Sequence, residues 1–210
     1  QIALQLDRLC IGYDGQALLR PFTQTVTQGQ RVALIGPNGI GKTTLFRTLL
    51  GETPPLGGSY HFGSGIQPGY LSQEQEMLDP RLTVLQTIQE MPDFYNHTEA
   101  RTFLHRFLFK GDEVFQGVDT LSYGQRSRLM LALLVGKHCN LLLLDEPLNH
   151  LDLPSQEAFE AALSNFEGAI LAIAHDRYFV GRFAQIIWRF TSEGLETELS
   201  SEMVQAIMGS

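Results

Sequence analysis

The stretch GPNGIGKT, Gly36 to Thr43, follows directly on the apolar run Arg31-Val-Ala-Leu-Ile35 and fits G-x-x-x-x-G-K-[ST], the P-loop pattern. Glycines at 36, 39 and 41 let the backbone turn through conformations closed to other residues, so that successive N–H groups face an anion at the start of the following helix. In this reading Gly36, Pro37, Asn38, Gly39, Ile40 and Gly41 wrap a phosphate. Lys42 adds a point charge, the Thr43 hydroxyl ligates Mg²⁺, and Thr44 completes the set. By composition the pattern arises by chance in about one in a hundred chains of this length, so a simple tight turn is a poor account of it. Nucleotide phosphate is therefore the first ligand to consider.

Leu141 to Leu144 form an unbroken apolar run ending in Asp145-Glu146. Such a run predicts a strand buried on both faces, with two carboxylates at its C-terminal edge. In an open α/β sheet that edge is where ligands bind. Asp145 would hold Mg²⁺ through water, and Glu146 would polarise the water that attacks the γ-phosphate. Paired acids after a strand are more often a solvated turn or a helix cap. Their company with Lys42 and Thr43 favours the catalytic role.

With these two elements in place the chain resembles the ATP-binding cassette (ABC) ATPases, and within them the ABC-F group of soluble, translation-associated proteins. Between the two lies Leu121-Ser-Tyr-Gly-Gln125, which looks like the cassette signature LSGGQ. Ser122, Gly124 and Gln125 would then meet the nucleotide of a facing cassette; a hydroxyl and unpaired N–H groups at a helix start suit an anion. Taken alone, Ser122 is an ordinary helix cap. The resemblance also assigns Tyr13, 23 residues before Gly36, to stacking on adenine. It assigns Gln73 to the Mg²⁺ and the attacking water, and His175, after the strand Ala169–Ala174, to the γ-phosphate. Each of these three, alone, reads as an ordinary structural residue. The strings Glu146-Pro-Leu-Asn-His-Leu-Asp152 and His175-Asp-Arg-Tyr-Phe179 are similar to the ABC-F strings DEPTNHLD and SHDRYF, which brings Asp152 into the nucleotide-contacting set. Two departures stand out: Tyr123 replaces a signature glycine, adding bulk there, and Leu148 replaces a threonine.

The resemblance implies an α/β P-loop NTPase fold in one cassette over residues 1–210. It comprises an antiparallel β-subdomain (1–30), a RecA-like core (31–79 and 138–199) and a helical signature subdomain (80–137). Gly57-Gly58 reads as turn punctuation. Residues 153–166 read as a helix packed on the sheet through Phe159, Ala162, Leu163 and Phe166. ABC-F proteins resemble two cassettes joined by a helical linker, so a chain with one cassette and no initiator Met reads as a fragment. Phe107–Phe115 and Leu151–Ser155 look more like the second cassette than the first.

Composition agrees with a globular enzyme: 43% of the 210 residues are apolar, and no apolar run approaches the ~18 residues of a bilayer span. With no leader pattern and two cysteines without metal-ligand spacing, Cys10 and Cys139, read as buried thiols, a cytoplasmic protein without direct membrane insertion is expected. The net charge of −8 offers little attraction to naked nucleic acid. A ribosome contact would have to be local, on the helix whose apolar face is Phe103, Leu104, Phe107 and Leu108 and whose basic residues are Arg101, His105 and Lys110. The expected partners are a second cassette and the ribosome; the expected cofactors are ATP and Mg²⁺. The alternative is the cytosolic ATPase subunit of a membrane transporter. A DNA-repair cassette would carry insertions with zinc-binding cysteine clusters, which two distant cysteines cannot supply.

Overall fold

Apolar runs without polar alternation have no face to give to water, and this chain buries them as parallel strands. The computed structural model describes residues 1–72 and 78–200. In chain order its elements are β1 (Ile2–Cys10), β2 (Gly12–Tyr13), β3 (Gln16–Ala17), β4 (Phe22–Thr27), β5 (Arg31–Ile35), α1 (Lys42–Leu49), β6 (Gly57–Phe62), β7 (Pro68–Leu71), α2 (Val84–Gln89), α3 (His97–His105), α4 (Tyr123–Gly136), β8 (Leu141–Asp145), α5 (Leu153–Ser164), β9 (Ala169–Ile173), α6 (Arg177–Phe183), β10 (Ile186–Thr191) and β11 (Gly194–Leu199). They gather into two compact units, one of Gln1–Tyr70, Asn140–Glu146 and Gly168–Ser210, the other of Leu71–Cys139 and Pro147–Glu167.

The first unit holds a six-stranded sheet in the order β11-β10-β5-β9-β8-β7. Every residue of β8 and β9 is buried, as the runs LLLLD and AILAI require. Pairing of β5, β9, β8 and β10 is parallel, and its register sets Leu34 beside Ile173 and Ile173 beside Asp145. Gly36, Glu146 and His175 therefore leave the sheet at one edge, the carboxyl ends of the strands. A second sheet, β4-β1-β6, is antiparallel, and its Leu4, Leu6 and Leu9 join Phe46 of α1 and Trp188 of β10 in one buried cluster. Ile2 is exposed, and the β1 register shifts between Ile2 and Leu4.

Gly57-Gly58, expected as a turn, opens β6 and pairs with β1, so residues 57–62 belong to the antiparallel sheet and not to the core layer. The glycines serve a bulge: the register breaks between Asp7 and Cys10, Gly58 has φ of 71°, and any side chain on it would run into the Arg8 carbonyl. Cys10 in β1 is half-buried and Cys139 buried, and the two form no disulfide.

The second unit is helical. The polar start of α2 is a reciprocal cap between Thr83 and Gln86. α3 buries Ala100, Phe103 and Leu104 but ends at His105; Phe107 is buried in the turn that follows, and Leu108 takes φ of 63°. The expected continuous helix face through 107 and 108 is thus a turn. Phe159, Ala162 and Leu163 are the buried face of α5, as expected, yet α5 groups with the helical unit and packs against α4. No helix among the described residues is long and apolar enough to cross a membrane.

Candidate functional site

In the first unit the chain between β5 and α1 adopts a path that only glycine tolerates. Gly36 and Gly41 have φ of 147° and 116°, and a Cβ on Gly36 would lie 2.6 Å from the carbonyl oxygen of Phe190. Gly41 caps α1 with no side-chain acceptor, so the first amides of that helix are offered to a ligand. Pro37, Asn38 and Gly39 form the exposed crest, and Ile40 donates its N–H to the Pro37 carbonyl at 3.4 Å. Lys42 is only 6% exposed, and its ammonium donates to the carbonyls of Gly36 and Pro37 at 2.7 and 2.9 Å. Burial lowers its pKa, against the pull of Glu146 and Asp145, which favour the cation. Thr44 donates to the Tyr13 hydroxyl at 3.0 Å, which ties the tyrosine to α1 while leaving it 42% exposed.

The carboxylates of the neighbouring strand lie in the same unit. Asp145 is 9% exposed, and burial raises its pKa, while hydrogen bonds from Thr43 and Tyr70 hold it toward the anion. The Tyr70 hydroxyl donates to Oδ2 at 3.2 Å, and burial and the Asp145 charge raise the pKa of that phenol. Glu146 has φ of 51° and donates its N–H to the Ile173 carbonyl at 3.1 Å, so the parallel ladder holds it in a conformation uncommon for a non-glycine residue. Its Oε1 stands 3.0 Å from Nε2 of His175. Just beyond, Asp176 caps α6 by accepting from the N–H groups of Tyr178 and Phe179 at 2.7 and 3.0 Å, which fixes the turn that carries His175. Lys42, Thr43, Asp145, Glu146 and His175 are thus assembled from three strand ends. Gln73 lies outside the described residues. A hydroxyl, Thr43, beside the buried Asp145 carboxylate suits Mg²⁺, which takes one or two protein oxygens and fills its octahedron with water and phosphate.

The predicted signature residues are held differently, in the second unit. Ser122 caps α4, accepting from the Gln125 N–H at 3.2 Å, while the Gln125 side chain accepts from the Ser122 N–H at 2.9 Å. Gly124 is a packing glycine, since a Cβ there would stand 2.6 Å from Cβ of Ser155 at the start of α5. Asp152 caps α5 by accepting from the Ser155 N–H at 3.0 Å, and the Ser155 side chain, with that N–H, lowers its pKa. The Tyr123 ring lies edge-on to His150, 6.0 Å between centroids, so the bulk that departs from the signature pattern leans on the Asn149-His150 string. Sequence reasoning passed over Tyr70, Asp176 and Ser155. Asp176 carried a signal, an acid two residues before Tyr178 at a strand-to-helix turn; the other two are defined by contacts distant in sequence.

A glycine loop between strand and helix, with a buried lysine and paired acids at the same sheet edge, defines a P-loop ATPase domain of the ATP-binding cassette type. A family model described as ABC transporter matches residues 19–149, and the chain belongs to that family. It is 39% identical over 185 residues to the energy-dependent translational throttle protein EttA of Mycobacterium tuberculosis, an alignment covering 86% of this chain and 33% of that protein. It is 36% identical over 171 residues to ABC transporter F family member 5 of Arabidopsis thaliana, covering 80% of this chain and 25% of that protein. These relatives set it among the ABC-F proteins, and the chain spans about a third of their length or less. A bacterial Atm1-family ABC exporter solved with ATP bound superposes with a TM-score of 0.79 at 20% identity, over 98% of this chain and 40% of that one. That likeness concerns the fold.

Proposed function

We propose that this chain is an ATP-binding and ATP-hydrolysing cassette of a soluble, cytoplasmic ABC-F protein, and that it pairs head to tail with a second cassette to drive a conformational switch on the ribosome. The observation that carries the hydrolytic part is the convergence of Lys42, Thr43, Asp145, Glu146 and His175 in one unit, with Glu146 and His175 3.0 Å apart. The ribosomal part is supported by the relative named as a translational throttle protein.

The chemistry follows from the contacts. The amides of Gly36 to Gly41 receive the β and γ phosphates, and the Lys42 ammonium exchanges its two carbonyl acceptors for phosphate oxygens. A bound Mg²⁺ would neutralise charge on the leaving phosphate. Thr43 and Asp145 would hold it, directly and through water. Glu146 accepts a proton from water as its oxygen bonds to the γ phosphorus and the bond to the β-phosphate oxygen breaks, leaving ADP and phosphate. His175 keeps the Glu146 carboxylate aimed, and its ring would contact the γ-phosphate. Tyr13 offers its exposed ring to adenine. Ser122, Gly124, Gln125 and Asp152 would serve the nucleotide of the facing cassette.

Lys42→Ala is the test. It should weaken binding of ATP far more than of adenosine, measured by titration calorimetry, because only ATP carries the phosphates that the ammonium meets. Equal losses for the two ligands would contradict the assigned P-loop.

A further inference from the structure

Tyr70 belongs to neither phosphate pattern, yet it is in direct contact with the carboxylate assigned to the metal. It stands on β7, half-buried, with its ring edge-on to the fully buried Phe46 at 6.2 Å and 81°, so the ring is wedged in place by α1. From there its hydroxyl donates to Oδ2 of Asp145 at 3.2 Å, across 75 residues of sequence. The neighbouring Thr43 hydroxyl favours the anionic form of the same carboxylate. A carboxylate offers about four acceptor positions. With Tyr70 occupying one of them, the remainder face a set direction, whereas the terminal torsion of an unheld aspartate is soft. Mg²⁺ tolerates little departure from octahedral geometry, so that direction matters to it.

We propose that Tyr70 is a positioning residue of the metal site: its hydroxyl fixes the orientation of the Asp145 carboxylate and thereby sets the affinity of the nucleotide-loaded cassette for Mg²⁺. This rests on Asp145 being the metal carboxylate. A tyrosine that only fills the core and satisfies its own O–H would affect stability and leave the metal untouched.

The experiment is a Mg²⁺ titration of Tyr70→Phe, which keeps the packed ring, read by fluorescence of a bound ATP analogue and by melting of the nucleotide-free protein. Outer contacts of this kind change metal affinity by about tenfold or more when removed. The expected result is a Mg²⁺ midpoint raised about tenfold, with analogue binding in EDTA changed by less than about twofold. In an Asp145→Asn background the same Tyr70→Phe change should add nothing. A midpoint that does not move in Tyr70→Phe overturns the proposal, as does a loss of affinity that is equally large in EDTA. If Asp145→Asn alone leaves the Mg²⁺ midpoint where it was, the assignment of Asp145 itself fails, and the proposal fails with it.

Discussion

The two ends of this cassette satisfy their polar groups in opposite ways. At the P-loop end the groups are held by contacts that a nucleotide would take over: Lys42 rests on two loop carbonyls, and α1 begins without a side-chain cap. Beside them a buried carboxylate, Asp145, accepts a hydrogen bond from the Tyr70 hydroxyl. At the signature end each group already has a permanent structural duty. Ser122 and Gln125 cap one another, Asp152 caps the next helix, and Gly124 makes room for Ser155. The first end is poised for chemistry at some cost to the empty fold. The second is a helix start whose polar groups are already bonded within the fold.

On that contrast, substitutions of the capping and packing residues of the signature should damage the fold, and substitutions of the side chains that meet phosphate and metal should not. The largest effect on stability is expected for Gly124→Ala. Helix propensity alone favours alanine by about 1 kcal/mol, but overpacking against Ser155 costs about 1–3 kcal/mol, so urea unfolding should show a net loss. A gain in stability would break the packing account. Ser122→Ala removes one cap and should cost about 1 kcal/mol in the same assay, with ATP binding by the same chain unchanged. The smallest effect has the opposite sign. Because burial raises the pKa of Asp145, the folded state prefers its neutral form; wild-type stability therefore falls as pH rises through that raised pKa, and Asp145→Asn escapes the loss. In EDTA without nucleotide, the melting point of Asp145→Asn should exceed that of wild type at neutral pH, and the gap should close as pH falls into the ordinary carboxylate range. A gap of reversed sign would mean that Asp145 supports the empty fold.

Much of the phosphate end was legible in the sequence, for a physical reason. Glycine spacing around Gly36 and Gly41 dictates a backbone path, and the runs before Gly36, Asp145 and His175 have no reading except strands buried on both faces. Parallel pairing then brings their ends together. The helix cap at Ser122 was equally local, and the structure adds that Gln125 reciprocates it. What escaped depends on contacts between residues far apart. Gly57-Gly58 looks like a turn until β1 lies beside it and Arg8 forces a bulge. Nothing near Tyr70 announces Asp145, and Gly124 reads as an anion-binding glycine until α5 is placed against α4. The grouping of α5 with the helical unit was hidden for the same reason, since its apolar stripe would serve a sheet or a helix alike.

The central claim is that this chain carries two complementary half-sites, one that holds ATP and one that closes over the ATP of a facing cassette. Sedimentation velocity of Glu146→Gln with and without Mg-ATP tests it most directly, because that change removes the group that activates water and leaves the phosphate contacts in place. The variant should sediment as a monomer without nucleotide and as a dimer with it, alone or mixed with its companion cassette. Adding Ser122→Arg, which places charge and bulk on the signature tip, should abolish the dimer while ATP still binds the monomer. No gain in mass with Mg-ATP in either the single or the mixed sample, together with wild-type turnover per molecule that is independent of protein concentration, would contradict the account.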